Sequence, residues 1–312
     1  MPRIIFGMIN NIAKPVGGVK VIYQAAGALR RAGVDAYVLT ENPPPPWLTG
    51  NPMAAAAATL DAREGITLAP DDHYVATDSF GAHRRQLLLS RGARATIYMQ
   101  NHNALTANRE IDWAEFHGTP MLAVSRHTAE ALHDHGFRQV DILSPGIDRA
   151  VFRPAGQRRR RICYMPRKWP EAAAAVRARL GAAVEWLEID GMEEAAVAEA
   201  MAGSTIFLNF GRAEGLGLPP LEAMAAGTLV CGFAGQGTLD YARPENGLWV
   251  REGDIEGCVK AVKQALTVTQ RPELYAAMVE AATATAAAYD LDLFVDGLVG
   301  YFTARLAGEP VT

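Results

Sequence analysis

Short apolar runs rich in β-branched residues alternate along this chain with longer segments of helical periodicity, and they do so in two separate series. That alternation restricts the fold more than any other feature, because strands separated by helices pair into parallel sheets covered by helices. In the first series Ile4 to Met8 reads as a buried strand. Gly17-Gly18 opens a helix to about Arg31, Gly33 stops it, and Ala36 to Thr40 is the next strand. Pro43 to Pro46 can neither continue a helix nor donate to a sheet, so an exposed loop is expected there. The Ala-rich stretch beyond it predicts a helix. Tyr74 to Thr77, Thr96 to Met99 and Met121 to Val124 predict further strands, and the series closes over residues 141–148.

The second series predicts strands at Ile162 to Met165, Val184 to Ile189, Thr205 to Asn209 and Thr228 to Gly232. From about Asp254 the pattern is helical, broken at Pro272 and near Asp290. The expected organisation is an α/β protein of two Rossmann-like domains. Residues 1–155 form the first, 156–290 the second, and 291–312 a helical tail that packs back towards the first.

Charge and cysteine content exclude several classes. The net charge is −4, and neither half is a basic nucleic-acid domain. The one concentrated positive run, Arg158 to Arg161, reads as solvated linker, with acidic headgroups or phosphates as the other candidates for peripheral contact. No apolar stretch reaches about eighteen residues, and no signal peptide is visible at the N-terminus, so neither a membrane span nor secretion is expected. Cys163, Cys231 and Cys258 are too few and too scattered for a zinc site, and their odd number argues against a disulfide framework; a cytoplasmic location is expected.

The chemistry concentrates in Asn209 to Gly227, NFGRAEGLGLPPLEAMAAG, where a strand ends, a glycine-rich loop follows and Pro219-Pro220 opens a helix. Amides of Gly215, Gly217 and Leu218 at such a helix start can face a diphosphate, with the helix dipole adding attraction. A carboxylate presents two acceptor oxygens suited to a vicinal diol. Glu222 is therefore a candidate clamp on ribose hydroxyls and Glu214 a candidate for hydroxyls of a transferred sugar.

This string resembles the E-x7-E signature of retaining glycosyltransferase family four, usually EGFGLPxLEAMAxG. Glu214, Gly215, Gly217, Leu218, Pro219, Glu222, Ala223, Met224 and Gly227 coincide with it. Weaker similarity extends over most of the chain, through Gly17-Gly18, Ala123-Val124-Ser125 and Ser144-Pro145-Gly146-Ile147-Asp148. The resemblance implies a GT-B fold whose two domains face a central cleft. The donor, a nucleotide diphosphate sugar, is then held mainly by the second domain and the acceptor mainly by the first, with transfer occurring with retention. It also implies that Arg167 and Lys168 act on the donor phosphates, where two cations offset charge on the leaving diphosphate without a metal. His102, with Asn101 and Asn103 beside it, is similar to the family's T-x-H-D position near the reacting sugar. Gly17 and Gly18 are implied to bring amides to the donor. The loop Asp190-Gly191-Met192 is where the base is expected.

The chain departs from the pattern at Asn209 to Arg212, where Pro-Ser is usual, and at Gly235 to Asp240, where Gly-Gly-x-x-E is usual. The familiar sugar preferences therefore do not carry over, and the acceptor, whether a saccharide, a lipid-linked sugar or a small molecule, is not readable. Asp290-Leu-Asp292 matches a D-x-D metal motif formally, but no strand precedes it to aim carboxylates at a nucleotide. A nicotinamide dehydrogenase lacks its G-x-G-x-x-G fingerprint here. The remaining alternative is a catalytically silent nucleotide-sugar sensor or scaffold of the same fold.

Overall fold

A computed structural model describes residues 2–8, 14–78, 82–89, 94–181 and 184–307. The chain forms two compact units, residues 1–145 with 292–312 and residues 146–291, so it passes between them twice.

Unit 1 is built on a parallel seven-stranded sheet. Its strands are β1 (Ile4–Gly7), β2 (Ala36–Thr40), β3 (Ala58–Asp61), β4 (His73–Thr77), β5 (Arg94–Met99), β6 (Met121–Ala123) and β7 (Val140–Ile142), in the order β3-β2-β1-β4-β5-β6-β7. The first crossover, through helix α1 (Gly17–Arg31), leads from β1 to β2 on one side, and β4 then pairs on the other. Chain connections therefore diverge above the carboxyl ends of β1 and β4, the place where open α/β sheets form a crevice. Helices α2 (Ala82–Leu88), α3 (Ala104–Ala107) and α4 (Arg126–Asp134) complete the first series. Ser125 caps α4 by accepting the Thr128 amide at 3.0 Å.

One face of the sheet buries Ile5, Tyr74, Ile97, Met99 and Met121 against Phe116, Leu132 and Phe137. Against the other face lies the last helix of the chain, which the structure joins to this unit. Its Phe302 ring meets Phe6 at 5.7 Å and His73 at 5.4 Å. Burial of a side chain like Phe302 contributes roughly 2–3 kcal/mol. The same helix adds polar contacts: Tyr301 meets Thr96, Thr96 meets His73, and Arg305 reaches Asp141 at 3.3 Å. Desolvation, with Arg305 and Arg94 nearby, pushes the His73 imidazole down to about 4.

The Ala-rich stretch is not the helix its composition predicts. Ala54–Ala56 makes one 3-10 turn and Ala58–Asp61 becomes the edge strand β3, in register with Tyr37 to Thr40. The reasons are tertiary. The Asn51 carboxamide accepts the amides of Met53 and Ala54, and the Met53 carbonyl lies against Gly27 of α1 where any side chain would collide. The helix preference of alanine is only tenths of a kcal/mol per residue, so pairing with β2 outweighs it.

Unit 2 holds a parallel five-stranded sheet of β8 (Arg159–Tyr164), β9 (Glu185–Glu188), β10 (Ser204–Phe210), β11 (Leu229–Ala234) and β12 (Gly247–Arg251), in the order β12-β11-β10-β8-β9. Helices α5 (Pro170–Leu180), α6 (Glu194–Ala202) and α7 (Leu218–Ala225) alternate with the strands. They are followed by α8 (Ile255–Val268), α9 (Pro272–Ala287) and the terminal α10 (Leu291–Ala307) described above. The edge strand β12 has no counterpart in the sequence reading; it is five residues long and carries no alternating pattern to announce it.

The arginine run requires a second correction. Arg159 to Arg161 begin β8, and the flanking cations are structural. Arg158 donates to the Ala226 carbonyl at 2.9 Å, and Arg161 donates to Ser204 Oγ at 2.9 Å. The end of α7 there presents a carbonyl that the Arg158 guanidinium satisfies, and the start of β10 a hydroxyl that accepts from Arg161, so the run is not a solvated linker. Cys163, Cys231 and Cys258 are all buried as free thiols, and burial pushes Cys163 and Cys258 up to about 12. Among the described residues, no helix is long and apolar enough to cross a membrane.

Candidate active site

The order of the second sheet places its crevice between β8 and β10, because β9 lies beyond β8 and the chain returns to the other side of it. Two loops leave the sheet there. The loop after β8 carries Arg167 and Lys168, both exposed. The loop after β10 carries Gly211 to Gly217. Lys168 Nζ and Glu214 Oε2 meet at 2.5 Å, so the crevice is bridged by an ion pair. The Glu214 side chain is 15% exposed against 41% for Lys168, which leaves the cation more open to a ligand than the carboxylate.

The β10 loop is held at several points. Arg212 stacks over Trp169 at 4.7 Å. The Gly237 amide donates to the Glu214 carbonyl at 3.0 Å, and Tyr241 donates its hydroxyl to the Gly217 carbonyl at 2.5 Å. Gly217 itself has φ +87°, and a Cβ there would sit 2.6 Å from Thr238 Oγ1. Both facts require glycine: the left-handed backbone turns the chain into α7, and the space above it is taken. Leu218 is the first residue of α7, with Pro219 in the first turn. Gly215 and Gly217 are buried in the loop and Leu218 half-buried.

Glu222 occupies the fifth position of α7 and is 6% exposed. A carboxylate this buried is retained only where it has polar partners. Asp190, exposed, and Met192, half-buried, follow β9 on the far side of β8, at the same end of the sheet. The structure thus gathers Arg167, Lys168, Glu214, Gly215, Gly217, Leu218, Asp190 and Met192 at the carboxyl ends of neighbouring strands. Lys168 and Glu214 are in direct contact.

Gly17, Gly18 and His102 belong to unit 1, at the carboxyl ends of β1 and β5. Gly17 and Gly18 begin α1, and the Gln100 side chain donates to the Gly18 carbonyl at 3.0 Å. Two residues beyond Gln100, His102 is 8% exposed; its Nδ1 lies 3.4 Å from Thr128 Oγ1 and its ring stands edge-on to His127 at 4.8 Å. Sequence reasoning passed over Asp78, immediately after β4. Desolvation pushes its carboxyl up to about 7, against the opposing hydrogen bond from the Asn101 amide. An Asp ending an apolar strand, as in His73 to Asp78, was the signal available.

Among the described residues, no cluster of three or more His, Cys, Asp or Glu side chains is gathered as a metal site. Asp290 of the formal D-x-D motif instead pairs with Arg149 at 3.2 Å.

Residues 175–285 match the family model described as Glycosyl transferases group 1. The chain is 25% identical over 271 residues to an alpha-1,6-glucosyltransferase of Actinobacillus pleuropneumoniae serotype 7, covering 80% of this chain and 79% of that protein. Among solved structures it is similar to sucrose-phosphate synthase from Thermosynechococcus elongatus, with a TM-score of 0.78 at 13% identity over 99% of this chain and 100% of that one. It is also similar to Anabaena HepE in complex with UDP-glucose, with a TM-score of 0.66 at 13% identity over 97% and 99% of the respective chains. The fold, the family match and these relatives together make the chain a glycosyltransferase with the GT-B fold.

Proposed function

We propose that the chain transfers a hexosyl group from a nucleotide diphosphate sugar to an acceptor hydroxyl with retention at the anomeric carbon and without a metal. The observation that carries this reading is the Lys168–Glu214 pair across the β8/β10 crevice, with the exposed Arg167 beside it. A ligand phosphate entering that crevice meets two cations and the amino end of α7, the groups that stabilise a departing diphosphate. Displacing Lys168 from Glu214 frees the carboxylate for sugar hydroxyls. Glu222 clamps the ribose diol, and the Asp190 to Met192 loop contacts the base. Unit 2 is then the donor domain, and unit 1, through Gly17, Gly18 and His102, serves the reacting sugar and the acceptor.

Retention is read as frontal displacement. The bond from the anomeric carbon to the phosphate oxygen breaks, that oxygen takes the acceptor hydroxyl proton, and the acceptor oxygen bonds the anomeric carbon on the face just vacated. The products are a nucleoside diphosphate and a glycoside of unchanged configuration. No second carboxylate is needed as nucleophile, in contrast to retaining glycosidases.

The test is a thermal-shift screen of nucleotides and nucleotide sugars, starting with UDP-glucose because HepE carries it, followed by a donor hydrolysis assay. A ligand that binds the native state raises its melting point. Sugar release without acceptor supports a competent centre, and its anomeric configuration, read by NMR at early times, reports retention. Activity should persist in EDTA. Tight nucleotide-sugar binding with no release under any condition identifies the silent sensor instead.

A further inference from the structure

Glu214 follows an unusual residue. Among the described residues Ala213 is the one non-glycine with φ in the left-handed region, at +49°. That conformation drives Cβ towards the following carbonyl, and it persists only where surrounding contacts impose it. Glu252 supplies such a contact. It lies just beyond the edge strand β12, and its Oε2 accepts the Ala213 amide at 3.3 Å. Because β11 separates β12 from β10, this side chain reaches over the end of an intervening strand to the donor-side loop. Other anchors of the loop hold Arg212 through its side chain, and Glu214, Leu216 and Gly217 through their carbonyls. The Glu252 contact holds the Arg212–Ala213 peptide, on the amino side of the left-handed residue that precedes Glu214.

We propose that Glu252 is a positioning residue of the sugar-transfer centre: its carboxylate holds Ala213 in the left-handed conformation that delivers the Glu214 side chain to Lys168. The inference rests on the reading of Glu214 and Lys168 as donor-handling groups. A hydrogen bond to a carboxylate is stronger than one to a neutral acceptor, and a glutamine retains an acceptor oxygen of the same reach. The conservative variant should therefore keep most of the effect.

The test compares Glu252→Ala and Glu252→Gln in the full chain by amide hydrogen exchange and by hydrolysis of UDP-glucose. In Glu252→Ala, exchange across residues 211–217 should quicken about tenfold and kcat should fall about tenfold with KM nearly unchanged, as expected for loss of one charge-assisted hydrogen bond. Glu252→Gln should stay within about threefold of the parent on both measures. Parent-like exchange in Glu252→Ala overturns the inference. So does a glutamine variant as disturbed as the alanine variant, or a loss of protection spread over all of unit 2, which would make Glu252 a support of the fold. If the parent protein releases no glucose from UDP-glucose, that result counts against the donor reading for this sugar, while loop exchange still decides what Glu252 holds.

Discussion

The two units solve one topological problem with different materials. Each has a crevice where parallel strands diverge, β1 and β4 in unit 1, β8 and β10 in unit 2. In unit 1 the crevice end is shaped by desolvated groups: Asp78 against the Asn101 amide, Gln100 on the Gly18 carbonyl, and His102 buried against Thr128. In unit 2 it is shaped by ionised side chains, with Lys168 on Glu214, Glu252 on Ala213 and Arg212 over Trp169. The difference fits the proposed division of roles, in which unit 2 handles the charged diphosphate. A fixed cation pair stabilises a diphosphate better the less it must reorganise when the ligand arrives.

Removing the cations strikes this contrast hardest. Arg167→Ala combined with Lys168→Ala should lower turnover of a nucleotide sugar by roughly 10²–10³-fold, while nucleotide affinity, measured by calorimetry, changes much less. An equal loss in both quantities would assign the pair to ground-state binding.

Unit 1 should reveal its character through pH. The folded-state pKa of His73 is lowered to about 4, so its neutral form stabilises the fold above the ordinary value of 6.5, and that contribution is lost as pH falls from there to about 4. Asp78, raised to about 7, works the other way, because the folded state keeps a proton that the unfolded chain has released. The two slopes oppose each other between about pH 4 and 6.5 and flatten the parent protein. In Asp78→Asn the His73 slope stands exposed, and denaturant titrations should show up to about 3 kcal/mol lost on acidification. A flat profile in that variant would mean His73 titrates normally.

A smaller effect separates ribose recognition from phosphate handling. Glu222→Ala should raise the dissociation constant of the preferred nucleoside diphosphate about 10- to 100-fold, the usual cost of a lost hydrogen bond to a charged group. Unchanged affinity in calorimetry would remove Glu222 from the donor site. Smallest is Ala213→Gly, which relieves a left-handed alanine. It should stabilise unit 2 by about 0.5–1 kcal/mol, net of the extra entropy of an unfolded glycine, detectable as a raised melting temperature. A destabilised variant would show that the φ of +49° carries no strain.

How far the sequence reaches is visible in particular elements. The run of Ile4 to Gly7 and the helix from Gly17 to Arg31 could be read because apolar periodicity and a glycine stop are local signals. The strand at Ala58–Asp61 could not, since alanine prefers helix by little and the deciding partner was β2, distant in sequence. At the candidate site, the loop from Gly211 into α7 was legible through Gly217 and Pro219, whose backbone requirements are written in their residue types. Glu252 and Asp78 were not, because an acidic residue at a strand end says nothing of which amide it will meet.

Sequence alone therefore determined two parallel α/β sheets and a glycine turn with carboxylates on either side, properties set by period, turn chemistry and residue type within a few neighbours. Tertiary structure decided which charges touch: Lys168 and Glu214 are 46 positions apart and meet only because β8 and β10 are adjacent in the sheet. It also supplied the contact by which the terminal helix, expected to pack back towards the first unit, meets it, with Phe302 against Phe6. Such contacts depend on which strands become neighbours, and that is settled by the summed burial of the whole core rather than by any local stretch of chain.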